Sequence, residues 1–337
     1  MTSISTTTQP VTNRRRRTAA AGRDSWWHFL ARRLVRFVVS VWVLFTASFL
    51  MIHLVPGDPV RGALGTTAPA ELVEARRASL GLNDPMLQQY WDHLRGVLTG
   101  DLGTSIVTGQ PVGQTIAERL PASVTLALLA FVLVAVVAVP VGVVMAGLTR
   151  GGRRRRTELG FTTASTLLAS LPEFLLAVGL VYVFAVNLAW FPVATRTDAS
   201  SYVLPVLALA VGPAATMTRI IRVEILTVLD RDFVRTARAK RLTPRLIYLR
   251  HALPNALTAT LTIAGMLLTS MVVGTVLVEN VFAWPGLGTT IVNSILQKDY
   301  PLVQGIVLVY GIGVLLVNLA VDVALSLLDP RSTLRSA

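Results

Sequence analysis

The side chains that most often carry out chemistry are scarce in this sequence and form no recognisable site. The absence of cysteine excludes thiolate metal ligands and cysteine nucleophiles. The histidines lack the short spacing of a metal site; they are His28, His53, His93 and His251. The two lysines precede Arg241 and Asp299, so the Gly-Lys-Ser/Thr signature for nucleotide phosphates is missing. We therefore expect neither catalysis nor direct ATP binding, and no metal or cofactor in this chain.

Three acidic residues, Glu173, Glu279 and Asp322, lie in or near long apolar runs. A secondary transporter or channel would need a pathway of such buried charges, and three isolated ones favour it little. Dependence of uptake on an ATPase rather than on an ion gradient would exclude that class. A membrane-embedded enzyme is the other alternative, and no Ser/His/acid grouping stands out to support it.

The composition predicts a membrane protein rather than a basic soluble one. The 337 residues carry a formal charge of +13, from 31 Lys and Arg against 18 Asp and Glu. Such a balance is typical of nucleic-acid binding. However, only 15% of the residues are charged and 53% are hydrophobic, against about 25% charged in a soluble domain. The mean hydropathy of +0.61 excludes a polar disordered chain as well.

Six apolar runs are long enough to cross about 30 Å of hydrocarbon as helices. They cover residues 36–55, 122–148, 159–188, 202–221, 256–281 and 302–328. With the N-terminus in the cytoplasm, 24 of the 31 basic residues fall on the cytoplasmic side, as the positive-inside rule requires. We predict an all-α polytopic membrane protein with six transmembrane helices, N-in and C-in. Residues 1–30 are predicted to be a disordered basic cytoplasmic arm, and residues 332–337 a short tail.

Two segments between spans are longer than a connection needs. The extracytoplasmic segment 56–121 is predicted to contain helices over about 69–80 and 86–98, as a surface cap or a docking platform for an external partner. The cytoplasmic segment 222–254 is predicted to form two short helices, over about 230–240 and 244–253. Thr243 is the expected N-cap, Pro244 the first helical residue, and Pro254 the stop. The basic residues of this segment would otherwise face anionic lipid headgroups.

The cytoplasmic segment resembles the coupling loop of ABC importer permeases, whose pattern is roughly E-A-A-x3-G-x9-I-x-L-P. Arg235, Thr236 and Ala237 fall at the E-A-A positions and Arg241 at the glycine, and the pattern closes at Pro254. Outside the loop, the strings VPGDP, LGLNDP, GDLGTS, ERLPAS, SLPEF, VENVFAWPGLG, DYPLVQG and VNLAVDVALSLLDPR are similar to those of the dipeptide/oligopeptide permeases. The chain is thus identified as a member of that family over about residues 30–331, with residues 31–331 as its permease domain.

The resemblance implies the type I ABC importer permease architecture in the cell membrane. It implies a homologous second permease, which completes the path for di- or oligopeptides. It also implies an extracytoplasmic substrate-binding protein and two ATP-binding subunits or one fused ATPase, which would bind ATP and Mg²⁺. Permeases for nickel, another small chelate or haem share the same motifs and remain alternatives.

The resemblance also assigns candidate sites. Contact with the ATPase is expected from Asp232, Phe233, Arg235, Thr236, Ala237, Arg238, Ala239, Lys240, Arg241, Arg250, His251, Leu253 and Pro254. The substrate path is expected to include Pro172, Glu173, Ser270 and Gly274. Docking of the binding protein is expected at Pro56, Gly57, Asp58, Pro59, Asp101, Trp284, Pro285 and Gly286. Ala237 would suit close approach of the ATPase because it is small.

Two residues depart from the family pattern. Arg241 replaces a glycine that suits a tight break between the two short helices, so the break could instead fall on Leu242, Thr243 and Pro244. Glu173 stands where a small polar residue is more usual. It is either a structural carboxylate beside a proline kink or a group that meets the charged amino end of a peptide in transit.

Overall fold

A computed structural model describes residues 14–54, 58–65, 67–152, 154–193 and 198–328. These residues are helical apart from loops and one isolated antiparallel bridge between Thr104 and Pro111. Five helical segments are long and apolar enough to cross a membrane: Ala31–Met51, Val112–Gly152, Ala199–Leu229, Thr260–Val281 and Tyr300–Ser326. A bent helix pair brings the number to six if it is one span, which agrees with the predicted all-α polytopic fold.

The first helix, α1 (Arg14–Leu54), extends further toward the N-terminus than predicted. Residues 14–30 were assigned to the disordered arm, and the structure instead makes them the first turns of this helix. Arginine and alanine, which dominate residues 14–22, are good helix formers and can continue a helix started by the apolar span. Residues 1–13 and the tail 332–337 lie outside the described residues.

The segment predicted to be extracytoplasmic forms a cap, which consists of α2 (Pro59–Leu64), α3 (Ala70–Ser79) and α4 (Met86–Thr99). The two predicted helices are confirmed as α3 and α4. The cap is shorter than predicted, because α5 (Val112–Thr149) begins ten residues before the expected start of the second span. Asp299 fixes the loop after α4: its carboxylate accepts hydrogen bonds from the Ser105 hydroxyl and from Ile106 N–H, the latter at 3.0 Å.

The centre of the bundle is formed by α5 and α8 (Val203–Leu229). A 3₁₀ turn at Ala199–Tyr202 precedes α8. Small buried residues such as Ala130, Ala138 and Ala208 line the contact and let the two backbones approach closely. A Cβ at Gly142 would lie only 2.7 Å from Ile221 Cγ2. Gly142 is therefore a site of close helix contact.

The third predicted span, 159–188, is not one straight helix. It consists of α6 (Arg155–Ser170) and α7 (Glu173–Leu180), which continues as a π-helical segment at Val181–Asn187. The two parts are bent by 93° relative to each other. Proline at 172 disfavours the helical conformation in the residue before it, and Leu171 is extended, with φ −73° and ψ 123°. The bend follows from this one proline.

The cytoplasmic segment forms α9 (Asp232–Ala239) and α10 (Pro244–Leu246), with Thr243 at the N-cap position and Pro244 at the first helical position, as predicted. The predicted end near Pro254 is wrong. A π-helical segment, Ile247–Ala252, joins α10 directly to α11 (Leu253–Val281). Proline is tolerated here because it occupies the first turn of α11, where an N–H needs no helical acceptor.

The bundle is completed by α12 (Leu287–Leu296) and α13 (Tyr300–Leu328). Ser48 of α1 and Gln304 of α13 exchange two hydrogen bonds, Gln304 Nε2 to Ser48 O at 2.9 Å and Ser48 Oγ to Gln304 O at 3.3 Å. An ion pair of Arg33 and Asp322 links the same helices near their other ends. Gly265 of α11 lies against α13, where a Cβ would collide with the side chain of Val321.

Candidate functional site

The helix α9 is amphipathic, and its apolar side packs onto the bundle. Val234 and Ala237 are buried and belong to the central hydrophobic core, together with Ile247 of the following π-helical segment. The prediction that Ala237 faces the ATPase is therefore wrong. Its small side chain lets α9 pack closely against the helix bundle. This packing stabilises α9, because a helix this short does not stay helical alone.

The opposite side of α9 and the adjoining turns form an exposed face that we call the coupling surface. Its members are Asp232, Phe233, Arg235, Thr236, Ala239, Lys240, Arg241, Leu246, Leu249 and Arg250. Phe233 is 40% exposed and Leu249 50% exposed, so apolar side chains lie among basic ones. His251 and Leu253 are only half-buried within the helix that follows, and Pro254 is exposed beside them.

Arg241 itself forms the break between the two short helices. Its φ is +55°, in the left-handed region that glycine adopts most readily. The Leu242 N–H donates to Ala237 O at 3.3 Å and the Arg241 N–H donates to Arg238 O at 2.8 Å. This pair of bonds is a Schellman C-cap, which satisfies the last carbonyls of α9. The alternative break at residues 242–244 is not used.

The coupling surface is tied to the spans by hydrogen bonds as well as by packing. Arg238 Nη2 donates to Leu229 O, the last residue of α8, at 3.1 Å. Deeper in the same region, Arg222 of α8 donates to Glu158 Oε1 at 2.5 Å and to Thr149 Oγ1 at 2.9 Å. These bonds connect α5, α6 and α8 at one end of the bundle. Part of the basic excess in this segment is therefore structural.

The candidate path residues are partly brought together. Glu173 is the first residue of α7, at the bend, and its carboxylate lies against Gly274 of α11, where any Cβ would collide with Oε2. Ser270 lies one turn before Gly274, is exposed, and donates to Leu267 O at 2.8 Å. Pro172 is exposed at the bend. In the part of the chain that the structure describes, the carboxylate of Glu173 has neither a hydrogen bond nor an ion pair.

The predicted docking residues of the extracytoplasmic cap are less available than expected. Pro56 and Gly57 lie outside the described residues. Asp58 caps α2, which begins at Pro59, by accepting from Val60 N–H at 3.0 Å, and it pairs with Arg77 at 2.5 Å. Burial raises the pKa of Asp58, but the Arg77 guanidinium and the Val60 N–H outweigh it, so the pKa lies below its usual value. Asp101 stays exposed and accepts from Gly103 N–H at 2.9 Å.

The prediction that Trp284 and Gly286 dock a binding protein is wrong, because both are buried. Trp284 is 1% exposed, lies edge-to-face with Tyr202 at 4.7 Å between ring centroids, and donates to Ala122 O at 3.4 Å. Gly286 has no room for a side chain, because a Cβ there would collide with the Glu279 carboxylate. Pro285 is half-buried between them.

Glu279 explains the WPGLG string, and sequence reasoning missed its role. It is 0% exposed, and its Oε2 accepts from Gly288 N–H at 2.6 Å and Thr289 N–H at 3.4 Å. The carboxylate thus caps the positive N-terminus of α12. The Ser123 hydroxyl of α5 accepts from Leu287 N–H at 2.8 Å beside it. The spacing of an acid before a Pro-Gly-x-Gly turn was the available signal.

A cavity of about 270 Å³ in the cap was not predicted either. It lies between α1, α4 and the start of α13 and is lined by His53, His93, Asp92 and Asp101 among others. His93 stacks on Phe45 with ring centroids 5.0 Å apart, and burial lowers its pKa. No group of three or more histidine or acidic side chains suited to a metal ion occurs within the described ranges.

Comparison with known proteins gives the chain a family. Residues 138–334 match the family described as binding-protein-dependent transport system inner membrane component, and residues 26–127 match its N-terminal companion family. The chain is 36% identical over 303 residues to the glutathione transport system permease protein GsiC of Pectobacterium atrosepticum, covering 90% of this chain and 98% of that protein. The GsiC protein of Escherichia coli strain K12 is 33% identical with the same coverage.

A solved structure shares the fold. The MetNI methionine ABC transporter, in an inward-facing conformation, superposes with a TM-score of 0.56 at 18% identity, over 64% of this chain and 97% of that one. This similarity shows only that the two chains share a fold. Taken with the family matches over both parts of the sequence, it leads to one conclusion: the chain belongs to the binding-protein-dependent transport system inner membrane components and is a multi-pass membrane subunit.

Proposed function

We propose that this chain is the permease subunit of an ATP-driven importer that takes up glutathione or other short peptides. The observation that carries the substrate class is the match to glutathione transport system permeases over 98% of their length. A match this complete includes the spans, the cap and the cytoplasmic loop together. The matched region therefore includes the residues that would line the substrate path.

The function needs three kinds of partner: a second permease, ATP-binding subunits and an extracytoplasmic binding protein. The second permease would cover the apolar residues that this chain leaves exposed on its spans, such as Tyr182, Val186 and Leu316. The ATP-binding subunits would supply ATP and Mg²⁺. This chain would contribute the path and the mechanical connection to those subunits.

The coupling surface is suited to a protein cleft. Phe233, Leu246 and Leu249 are exposed apolar side chains that a partner would bury, and partly buried aromatic anchors often dominate an interface. Arg235, Lys240 and Arg250 would lie at the rim, where charge steers association more than it stabilises the complex. Thr236 and Ala239 add small contacts between them.

A displacement of the coupling surface would move two spans. Arg238 holds α9 to the end of α8, and the π-helical segment makes α10 continuous with α11. Closure of an ATPase dimer would then move α8 and α11 as rigid bodies, a switch between two states of the bundle. Transport would alternate between these two states.

The function is tested by reconstituting the chain with its partners in proteoliposomes. We expect binding protein loaded with glutathione to stimulate ATP hydrolysis. We also expect it to drive uptake that requires ATP on the side of the membrane that corresponds to the cytoplasm. Phe233→Glu should lower both by at least about tenfold, because a charge in an apolar cleft costs several kcal/mol, whereas Glu118→Gln, on the opposite side, serves as a control. Stimulation by a nickel chelate but by no peptide would overturn the peptide assignment.

A further inference from the structure

We infer that Glu173 is a binding site for the protonated amino group of the transported substrate. The inference rests on the proposed function, since it names the substrate group that this permease would recognise within its path. It is carried by a carboxylate without a partner, at a break in a span, on a face that the chain leaves uncovered.

The position of Glu173 is at membrane depth. The 16 residues of α6 precede the bend, and 15 residues of helical structure, Glu173–Asn187, follow it. Gly274, which lies against the carboxylate, is seven residues before the end of the span Thr260–Val281. At a rise of about 1.5 Å per residue, Gly274 lies roughly 10 Å inside that end. Irregular backbone at such depth is tolerated where it faces protein or lines a polar cavity.

The surroundings of Glu173 offer no cation. In the described residues the carboxylate forms no ion pair, in contrast to Asp322 with Arg33 and Glu158 with Arg222. Glu279 of α11 is used within the fold as a helix cap. Neither Glu173 nor Glu224 of α8 has an ion pair among the described residues, but Glu224 lies five residues before the end of α8 at Leu229, whereas Glu173 lies at the bend between α6 and α7.

The face around Glu173 is exposed and otherwise apolar. On α7, Phe174 is 48% exposed and Val178 50% exposed, and on α11, Val273 is 63% exposed. Ser270, on the same side of α11 as Gly274, adds a hydroxyl. A lone carboxylate would be very unfavourable against lipid, so this face meets a polar path rather than hydrocarbon.

Gly274 is what admits the carboxylate. A Cβ at this position would overlap Glu173 Oε2 and would lie 3.2 Å from Leu209 Cδ1. The carboxylate is therefore seated between α7, α8 and α11, and neither of its oxygens has a hydrogen-bond partner among the described residues. A primary ammonium group, which glutathione and every free peptide carry, matches it in charge and hydrogen-bonding capacity.

The first test compares uptake by variants in the reconstituted importer, with wild-type binding protein loaded with glutathione. Glu173→Gln should reduce uptake about tenfold, the loss expected for one charge-assisted hydrogen bond. Gly274→Ala should do the same with the charge retained, because it displaces the carboxylate, and Glu118→Gln should have no effect. Binding of the second permease should remain unchanged. Unchanged uptake in Glu173→Gln, or loss of the second permease on purification, which would mark an ion pair with that subunit, would overturn the inference.

The second test detects the amino group directly. A photoreactive residue at Phe174 is cross-linked to radiolabelled glutathione in the importer without binding protein. Excess glutathione should suppress the adduct, N-acetylglutathione should not, and Glu173→Gln should abolish the difference. Equal competition by both, or no adduct, would refute amine recognition. Wild-type uptake of glutathione tests the proposed function separately, because it does not depend on the outcome at Glu173.

Discussion

At the residue scale, buried and half-buried polar side chains in this protein mostly have defined structural partners. Glu279 caps α12, Asp299 holds the loop after α4, and Asp58 caps α2. Each satisfies backbone N–H groups that would otherwise be unpaired, which is costly in a buried site. Glu173 differs because its carboxylate has no hydrogen-bond or ion-pair partner in the described part of the chain.

Replacing Glu279 should therefore destabilise the fold. Glu279→Ala leaves the N–H groups of Gly288 and Thr289 without their acceptor, and we expect a loss of about 1–3 kcal/mol. Glu279→Gln keeps an acceptor oxygen and should cost less. Thermal unfolding of the purified complex, followed by the fluorescence of the tryptophans, measures the difference. Equal stability of the Ala variant and wild type would contradict the capping role.

The cap should lose stability at acidic pH through His93. Burial lowers the His93 pKa, so the folded cap favours the neutral imidazole, whereas the unfolded state binds a proton near pH 6.5. Stability is therefore complete above about pH 6.5 and falls as the pH drops below it. Amide exchange of α4 should accelerate between about pH 6.5 and 5 in wild type, beyond its intrinsic pH dependence. The effect should vanish in His93→Gln and persist in His251→Gln.

At the element scale, several helices end on a non-glycine residue in the left-handed conformation. Arg241, Ala283 and Lys298 follow α9, α11 and α12 with φ of +55°, +47° and +57°. Each has the hydrogen bonds of a Schellman cap, for example Trp284 N–H to Glu279 O at 2.8 Å. Side chains in this conformation cost about 1–2 kcal/mol each, and the packing after each helix compensates for that cost.

Arg241 allows this cost to be measured. Arg241→Ala and Arg241→Gly both remove the side chain, but only glycine relieves the backbone strain. We expect the glycine variant to be about 1 kcal/mol more stable than the alanine variant. Melting of the complex gives the stability, and ATPase stimulation shows whether the side chain contributes to coupling. A glycine variant that is no more stable than the alanine variant would show that the loop is not strained.

Sequence periodicity predicts the elements whose formation depends mainly on the local sequence. The spans, α3, α4 and α9 follow from apolar runs and helix signals, and Pro244 begins α10 as expected. The kink at Pro172 was expected from the proline itself, although its size of 93° was not, and the burial of Trp284 and the inward face of Ala237 were not predicted. The burial of Trp284 and of Ala237 depends on which neighbour lies opposite in the bundle. A single sequence does not contain that information.

At the scale of the whole molecule, the basic excess is an asymmetry between the two ends of the bundle. The cluster around Arg222 and the coupling surface lie at one end, and the acidic side chains of the cap cavity, such as Asp92 and Asp101, lie at the other. The positive-inside rule assigns the first end to the cytoplasm. This orientation remains a prediction.

The absence of cysteine makes the orientation directly testable. Thr99→Cys in the cap and Thr157→Cys at the start of α6, outside the coupling surface, are both exposed positions. In intact cells, we expect a membrane-impermeant maleimide to label the first and not the second, and both after permeabilisation. The reverse pattern would invert the topology. The wild-type chain, which cannot react, is the background control.

The continuity of α10, the π-helical segment and α11 has a mechanical consequence. The 29 residues of α11 alone span about 44 Å at about 1.5 Å per residue, and a tilt of about 5° about one end would displace the other by about 4 Å. One end adjoins the coupling surface, and the other carries the Glu279 turn. The helix therefore acts as a lever whose outer arm has no flexible joint. Under the proposed function, a small rotation at the ATPase would become a displacement on the scale of a side chain at the opposite end of α11.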